Sequence, residues 1–143
     1  MSYWDASAVV PLCVAQTASE TVRSLTQSYP ELVVWWATRI ECASAFARLF
    51  REGVFTPDGL HGAGANLAEL SNRWLEVVPS ESLRNTANRL LYAHPLRADV
   101  ALQLAAALDW CDGHPGDEVF ICLDNRLREA AQREGFRVLP ERL

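Results

Sequence analysis

Four carboxylates fall where this chain otherwise builds apolar segments: Asp5, Glu41, Asp99 and Asp124. Asp5 lies in Tyr3-Trp4-Asp5-Ala6-Ser7-Ala8-Val9-Val10, and Glu41 in Ile40-Glu41-Cys42-Ala43. Asp99 opens a run that continues to Leu108, and Asp124 follows Val119-Phe120-Ile121-Cys122-Leu123. A carboxylate near a core is costly unless it is paired, hydrogen-bonded or bound to a cation. The chain has no lysine. Counter-charge must therefore come from arginine, histidine or an external cation.

The length of 143 residues fits one domain, residues 1–143, with a sizeable core. Half of the residues are hydrophobic and 22% are charged, which marks a folded chain. A net charge of −5 argues against broad electrostatic binding to nucleic acid or anionic membrane, and leaves room for a local arginine-lined groove. The cysteines at 13, 42, 111 and 122 form no Cys-x-x-Cys pair and have no zinc-like spacing. They read as free thiols in a reducing compartment. With no signal-like start and no apolar run of about 20 residues, a cytoplasmic location is expected.

Short β-like runs alternate with helical stretches. The expected strands are 2–5, 32–36, 75–78, 119–123 and 136–139. The expected helices are 7–14, 19–28, 38–51, a stretch from about Pro57 to near Trp74, one from Ser80 to before Pro95, 99–110 and 125–134. Strands spaced by helices imply an α/β fold with a parallel sheet, right-handed crossovers and helices on both faces. Ligands in such sheets bind at the carboxyl ends of the strands. Asp5 closes the first expected strand and Asp124 follows the fourth. Glu41 and Asp99 lie in the first turns of helices, so all four can meet at one edge. Hard oxygen donors of this kind suit Mg²⁺ or Mn²⁺.

Three of the acids also have a purely structural account. Asp99 suits the positive end of its helix, and Asp124 can cap the helix that follows it. Glu41 can be an ordinary first-turn acid paired with Arg39 or Arg48. Asp5 has no obvious capping frame. Glu129 and Glu134 share a helix with Arg126, Arg128 and Arg133, and surface pairs are expected there. His61, His94 and His114 read as isolated. The lack of lysine removes a Walker-type phosphate loop, and Asp5-Ala6-Ser7 is not the Asp-x-Asp of a haloacid-dehalogenase-like phosphatase.

The ordered set of acids resembles the PIN-domain family, and within it the VapC-type toxin ribonucleases of bacterial toxin–antitoxin pairs. Four segments carry the resemblance: Tyr3–Leu12 with Asp5 and Ser7; Arg39–Ala45 with Glu41; Leu96–Ala107 with Asp99; and Cys122–Leu127 with Asp124, followed by Ala130-Ala131 and Gly135-Phe136. One position departs from the pattern: two before Asp124 the family usually has Thr or Ser, and this chain has Cys122.

The resemblance implies a three-layer fold, with a five-stranded parallel sheet of order 3-2-1-4-5 between helices. It implies an endoribonuclease dependent on Mg²⁺ or Mn²⁺. Asp5, Glu41, Asp99 and Asp124 would be its catalytic, metal-holding residues, with Ser7 and Asn125 as supports; Ser7 can equally be an N-cap of the helix that follows it. Arg97, Arg126 and Arg39 are candidate grips on RNA phosphates. The resemblance also implies a homodimer and a cognate antitoxin protein. Alternatives are a PIN-type nuclease of RNA maturation without an antitoxin, and an inactive PIN-like protein-binding module.

Overall fold

The computed structural model describes residues 1–143. Five strands, β1 (Ser2–Trp4), β2 (Leu32–Trp35), β3 (Leu75–Val77), β4 (Val119–Ile121) and β5 (Arg137–Leu139), form one sheet of order β3-β2-β1-β4-β5. Every neighbouring pair is parallel. Seven helices connect them: α1 (Ala6–Cys13), α2 (Ser19–Ser28), α3 (Thr38–Arg51), α4 (Pro57–Ser71), α5 (Glu81–Ala93), α6 (Ala98–Trp110) and α7 (Asn125–Glu134).

The strands are short and apolar throughout because both faces of the sheet are covered. Successive side chains alternate between two cores, as a strand's period of two requires. Tyr3, Val33, Trp35, Val77, Phe120 and Val138 point to one face, under α5, α6 and α7. Trp4, Leu32, Val34, Val119, Ile121 and Leu139 point to the other, under α1–α4. Tyr3 stacks on Phe120 with ring centroids 5.1 Å apart, and Phe136 follows at 5.4 Å.

Local chemistry sets the helix starts. Thr56 and Ser80 accept the Gly59 and Leu83 N–H groups, and Pro57 supplies a fitted φ at the first position of α4. Gly135 ends α7 at φ 107°, a left-handed conformation that glycine adopts without strain. The expected elements are all present, three helices with the expected ends and the other elements with ends shifted by no more than three residues. The first strand stops at Trp4, because Asp5 is the N-cap of α1 and accepts the Ser7 N–H. That corrects the expectation that Asp5 lacks a capping frame.

Two further expectations are overturned. Glu134 does not pair along its own helix. It accepts from Arg89 at 2.8 Å and lies 2.7 Å from Nε2 of buried His94, so His94 is not isolated. Nor is Arg128 a surface residue: it is 7% exposed. Its guanidinium donates to the Cys122 carbonyl at 2.8 Å and to the Pro140 carbonyl at 2.6 Å. This ties the turn after β4 to the chain leaving β5.

Arg128→Met keeps the side chain's reach and removes both donors from buried carbonyls. It is expected to lower stability by about 3 kcal/mol, since charged hydrogen bonds contribute ~1.5–3 kcal/mol each and bare buried acceptors add a penalty. Urea unfolding of the two proteins measures this.

Candidate active site

Parallel strands all end at the same edge, and the helices that follow them begin there. Asp5, directly after β1, caps α1. Asp124, in the turn after β4, caps α7 by accepting the Leu127 N–H at 2.9 Å. Glu41 and Asp99 are the first-turn acids of α3 and α6. All four carboxylates, with Ser7 and Gln103, line one open cleft of about 350 Å³. The structure thus brings together the whole predicted acidic set.

Their surroundings differ. Asp5 is 6% exposed, Glu41 is half-buried, and Asp99 and Asp124 are exposed. Burial raises the pKa of Asp5 above the ordinary carboxylate value. Hydrogen bonding by Ser7 opposes the rise, and the Asp124 charge adds to it. Burial likewise lifts Glu41 to about 7, against the pull of a Gln103 hydrogen bond, with Asp5 and Asp99 adding repulsion. These are the responses expected of desolvated acids crowded by like charge. Only Asp99 has an ion-pair partner, Arg97 at 3.2 Å.

The partner of Glu41 is neither Arg39 nor Arg48. It is Gln103, a 1% exposed side chain of α6 whose Nε2 donates to Glu41 Oε2 at 2.7 Å and to Thr38 Oγ1 at 3.2 Å. Gln103 Oε1 accepts the hydroxyl of buried Tyr3 at 2.6 Å. This Tyr3–Gln103–Glu41 chain fixes the carboxylate with neutral donors. Sequence reading missed Gln103; the one signal for it was a lone amide within an Ala/Leu-rich helix.

Cys122 does not leave its site unsupported. Ser7 Oγ accepts the Leu123 N–H at 2.9 Å and points its own hydroxyl at Cys122 Sγ, 3.7 Å away. The same sulfur accepts the Asp124 N–H at 3.3 Å and lies 3.8 Å from Asp5 Oδ2. Burial, and then the Asp5 charge, push the thiol pKa up, so Cys122 is a neutral spacer between Asp5 and Asp124. Ser7 supports the turn, and does not cap α1.

The arginines divide. Arg97 and Arg48 line the cleft. Arg97 and Arg126 line an adjoining hollow of about 280 Å³ that shares Asp124 with it. Arg39 is exposed on α3 and lines neither, and Asn125, the first residue of α7, is also exposed and outside the cleft. A larger hollow of about 410 Å³, with Arg23, Arg73 and Trp74, holds none of the acids.

No three histidine, cysteine or acidic side chains already stand in a metal-ligating group. The donor chemistry nevertheless fits a hard divalent cation. Three of the four carboxylates lack a counter-ion, two are shifted towards protonation, and the cleft has room for waters that Mg²⁺ retains in place of protein ligands.

No known family profile and no curated protein matches the chain. No helix is long and apolar enough to cross a membrane.

Glu41 yields a stability prediction with a definite sign. Its pKa rises from 4.5 to about 7 on folding, so the folded state holds a proton that the unfolded state has released. Stability from this group is fully present below pH 4.5 and is lost as pH rises to about 7. In chelator, the melting temperature of the wild type should fall across that window more steeply than that of Glu41→Gln. Parallel melting curves against pH would refute the assignment.

Proposed function

We propose that this protein is a metal-dependent endoribonuclease of the PIN type, acting in the cytoplasm as the toxin of a toxin–antitoxin pair. The observation that carries the reading is the convergence of Asp5, Glu41, Asp99 and Asp124 on one cleft at the carboxyl edge of a 3-2-1-4-5 parallel sheet. The resemblance to VapC-type toxins, in motif order across nearly the whole chain, supports the narrower part. That part includes an RNA substrate, a cognate antitoxin over the cleft and a homodimer.

In this reading Asp5, Glu41, Asp99 and Asp124 hold Mg²⁺ or Mn²⁺. A divalent ion bound there supplies charge neutralisation at the phosphoryl oxygens and lowers the pKa of water. The chain's own residues do the rest. Asp5 is held in place by the Ser7 N–H at 3.0 Å, and Glu41 by Gln103. Arg97 and Arg126 face the hollow beside Asp124, where they can grip the phosphates flanking the cleaved bond. Glu41 carries a proton near neutrality and must release it from its carboxyl to accept a cation, so ion affinity rises with pH through about 7. The products expected are a 5′-phosphate and a 3′-hydroxyl.

Asp5→Asn preserves the cap, since Asn accepts the same N–H, and removes the charge. Cleavage of RNA by the purified variant should fall at least about 100-fold, as for loss of a group that stabilises a transition state, with the fold retained and a melting temperature in chelator no lower than that of the wild type, since a buried charge is relieved. Wild-type cleavage should stop in EDTA and return with Mn²⁺ or Mg²⁺. Wild-type rates in the variant, or activity that persists in chelator, would sink the reading.

Gln103→Leu removes the donor that holds the Glu41 pKa down. The pH midpoint of ion-dependent cleavage should move to higher pH, while Gln103→Glu at high pH should weaken Tyr3 anchoring less than the Leu variant does. A pH–rate profile with an unmoved midpoint in Gln103→Leu would refute the role of the amide.

A further inference from the structure

The cleft does not end at its acids. It continues as a groove between α1 and α3, past Val10 and Ala45, to Arg48 and Gln16. Glu41, Ala45 and Arg48 are spaced by four and then three residues, so they stand in one row along α3. Arg48 lies beyond Glu41 by roughly 10 Å of helix axis. The opposite wall starts at Asp5, the cap of α1, and reaches Gln16 in the turn past the end of that helix. The hollow that adjoins the cleft shares Arg97, Val100 and Asp124 with it, and none of the residues of the groove. Gln16 and Arg48 thus mark the cleft's other end.

Both residues present free polar groups from fixed backbone. Arg48 is exposed and forms no ion pair, since Glu41, the acid on its own face of α3, is held by Gln103. A last-turn arginine suits the negative pole of its helix, yet Arg51 does the same and lies outside the cleft. The Gln16 side chain is exposed, while its N–H donates to Oγ of buried Ser19 at 2.8 Å. The Ser19 hydroxyl in turn donates to the Val14 carbonyl at 2.9 Å, which closes the turn. We propose that Arg48 and Gln16 form a nucleotide subsite: the guanidinium takes a phosphate beside the one at the acids, and the amide reads the edge of a base. The assignment rests on the nuclease reading and adds the residues that choose where the strand is cut. A phosphate next to the cleaved one meets the same carboxylates, and only a fixed positive group at that end offsets the repulsion. A guanidinium fork fits phosphate oxygens and carries no sequence information. A carboxamide has both donors and an acceptor, and an unpaired base leaves its edges free to meet them. Val10 and Ala45, between the two ends, offer a base apolar contact alone. Affinity therefore comes from Arg48 and sequence preference from Gln16.

The test sequences the ends cut from a pool of random single-stranded RNAs in Mn²⁺, and measures KM and its salt dependence on one RNA that the wild type cuts. Gln16→Ala retains the backbone bond to Ser19. It should lose base preference at one position, on one side of the cut, and keep the preferences elsewhere. Arg48→Met should keep every preference and raise KM about 10-fold, as for loss of a charged hydrogen bond, with a smaller change in kcat. Its salt slope should fall by about 0.7, the share of one phosphate on a single strand. Arg51→Met should match the wild type in all of these readouts. Wild-type preferences throughout in Gln16→Ala would overturn the subsite and leave the nuclease reading standing. The same holds for an unmoved KM and salt slope in Arg48→Met, or an Arg51→Met that weakens binding as much. A wild type that cuts no RNA would bring down both.

Discussion

All strands of a parallel sheet end on one side, and that polarity governs everything placed around the cleft. Each of the four acids stands at the N-terminal end of a helix: Asp5 and Asp124 as caps of α1 and α7, Glu41 and Asp99 in the first turns of α3 and α6. Helix N-termini present free N–H groups and a partial positive charge. The fold therefore offers four weak positive poles to one cleft, where only Asp99 has a fully charged partner, Arg97.

Magnitudes decide what those poles achieve. A helix terminus stabilises a nearby carboxylate by ~0.3–1 kcal/mol at a surface. Removing a carboxylate from water costs several kcal/mol. The second effect is larger, and the directions agree: Asp5 caps a helix and accepts a backbone N–H, yet its pKa is raised. Glu41 gains an amide hydrogen bond and still rises to about 7. A structural cap near a surface would show the opposite shift, since there the helix pole and the N–H bond face little desolvation. The energetic cost is thus concentrated on Asp5 and Glu41, the two acids that a cation would relieve most.

The fold was largely legible because burial on both sheet faces makes each strand a short continuous apolar run, bracketed by helix signals such as Thr56-Pro57 and Ser80. The acids were legible for the same reason, as charges set against apolar runs. What escaped was whatever depends on contacts distant in sequence. Gln103 sits 62 residues from Glu41, and nothing in its neighbours marks it. Arg128 looked like the middle of a charged surface helix, because Arg126, Glu129 and Arg133 surround it, but its face of α7 turns inward between Cys122 and Pro140. Ser7 read as a cap or a support with equal ease, since both place a hydroxyl near a helix start. Only the Leu123 N–H, 116 residues away, separates them.

Cys122 shows how one substitution of side-chain type is absorbed. Where a hydroxyl two residues before Asp124 would donate strongly, a buried thiol donates weakly. The Ser7 hydroxyl stands in the gap, taking the Leu123 N–H and facing the sulfur, while Arg128 holds the Cys122 carbonyl from the other side. The turn that carries Asp124 is thus fixed by its backbone, at Cys122 and Leu123, more than by the side chain at position 122. Geometry is retained at Asp124 without a hydroxyl there. What changes is the direct donor to Asp5: a thiol at 3.8 Å from Oδ2 does little to hold that carboxylate ionised, which leaves its charge to the Ser7 N–H and to whatever cation enters the cleft.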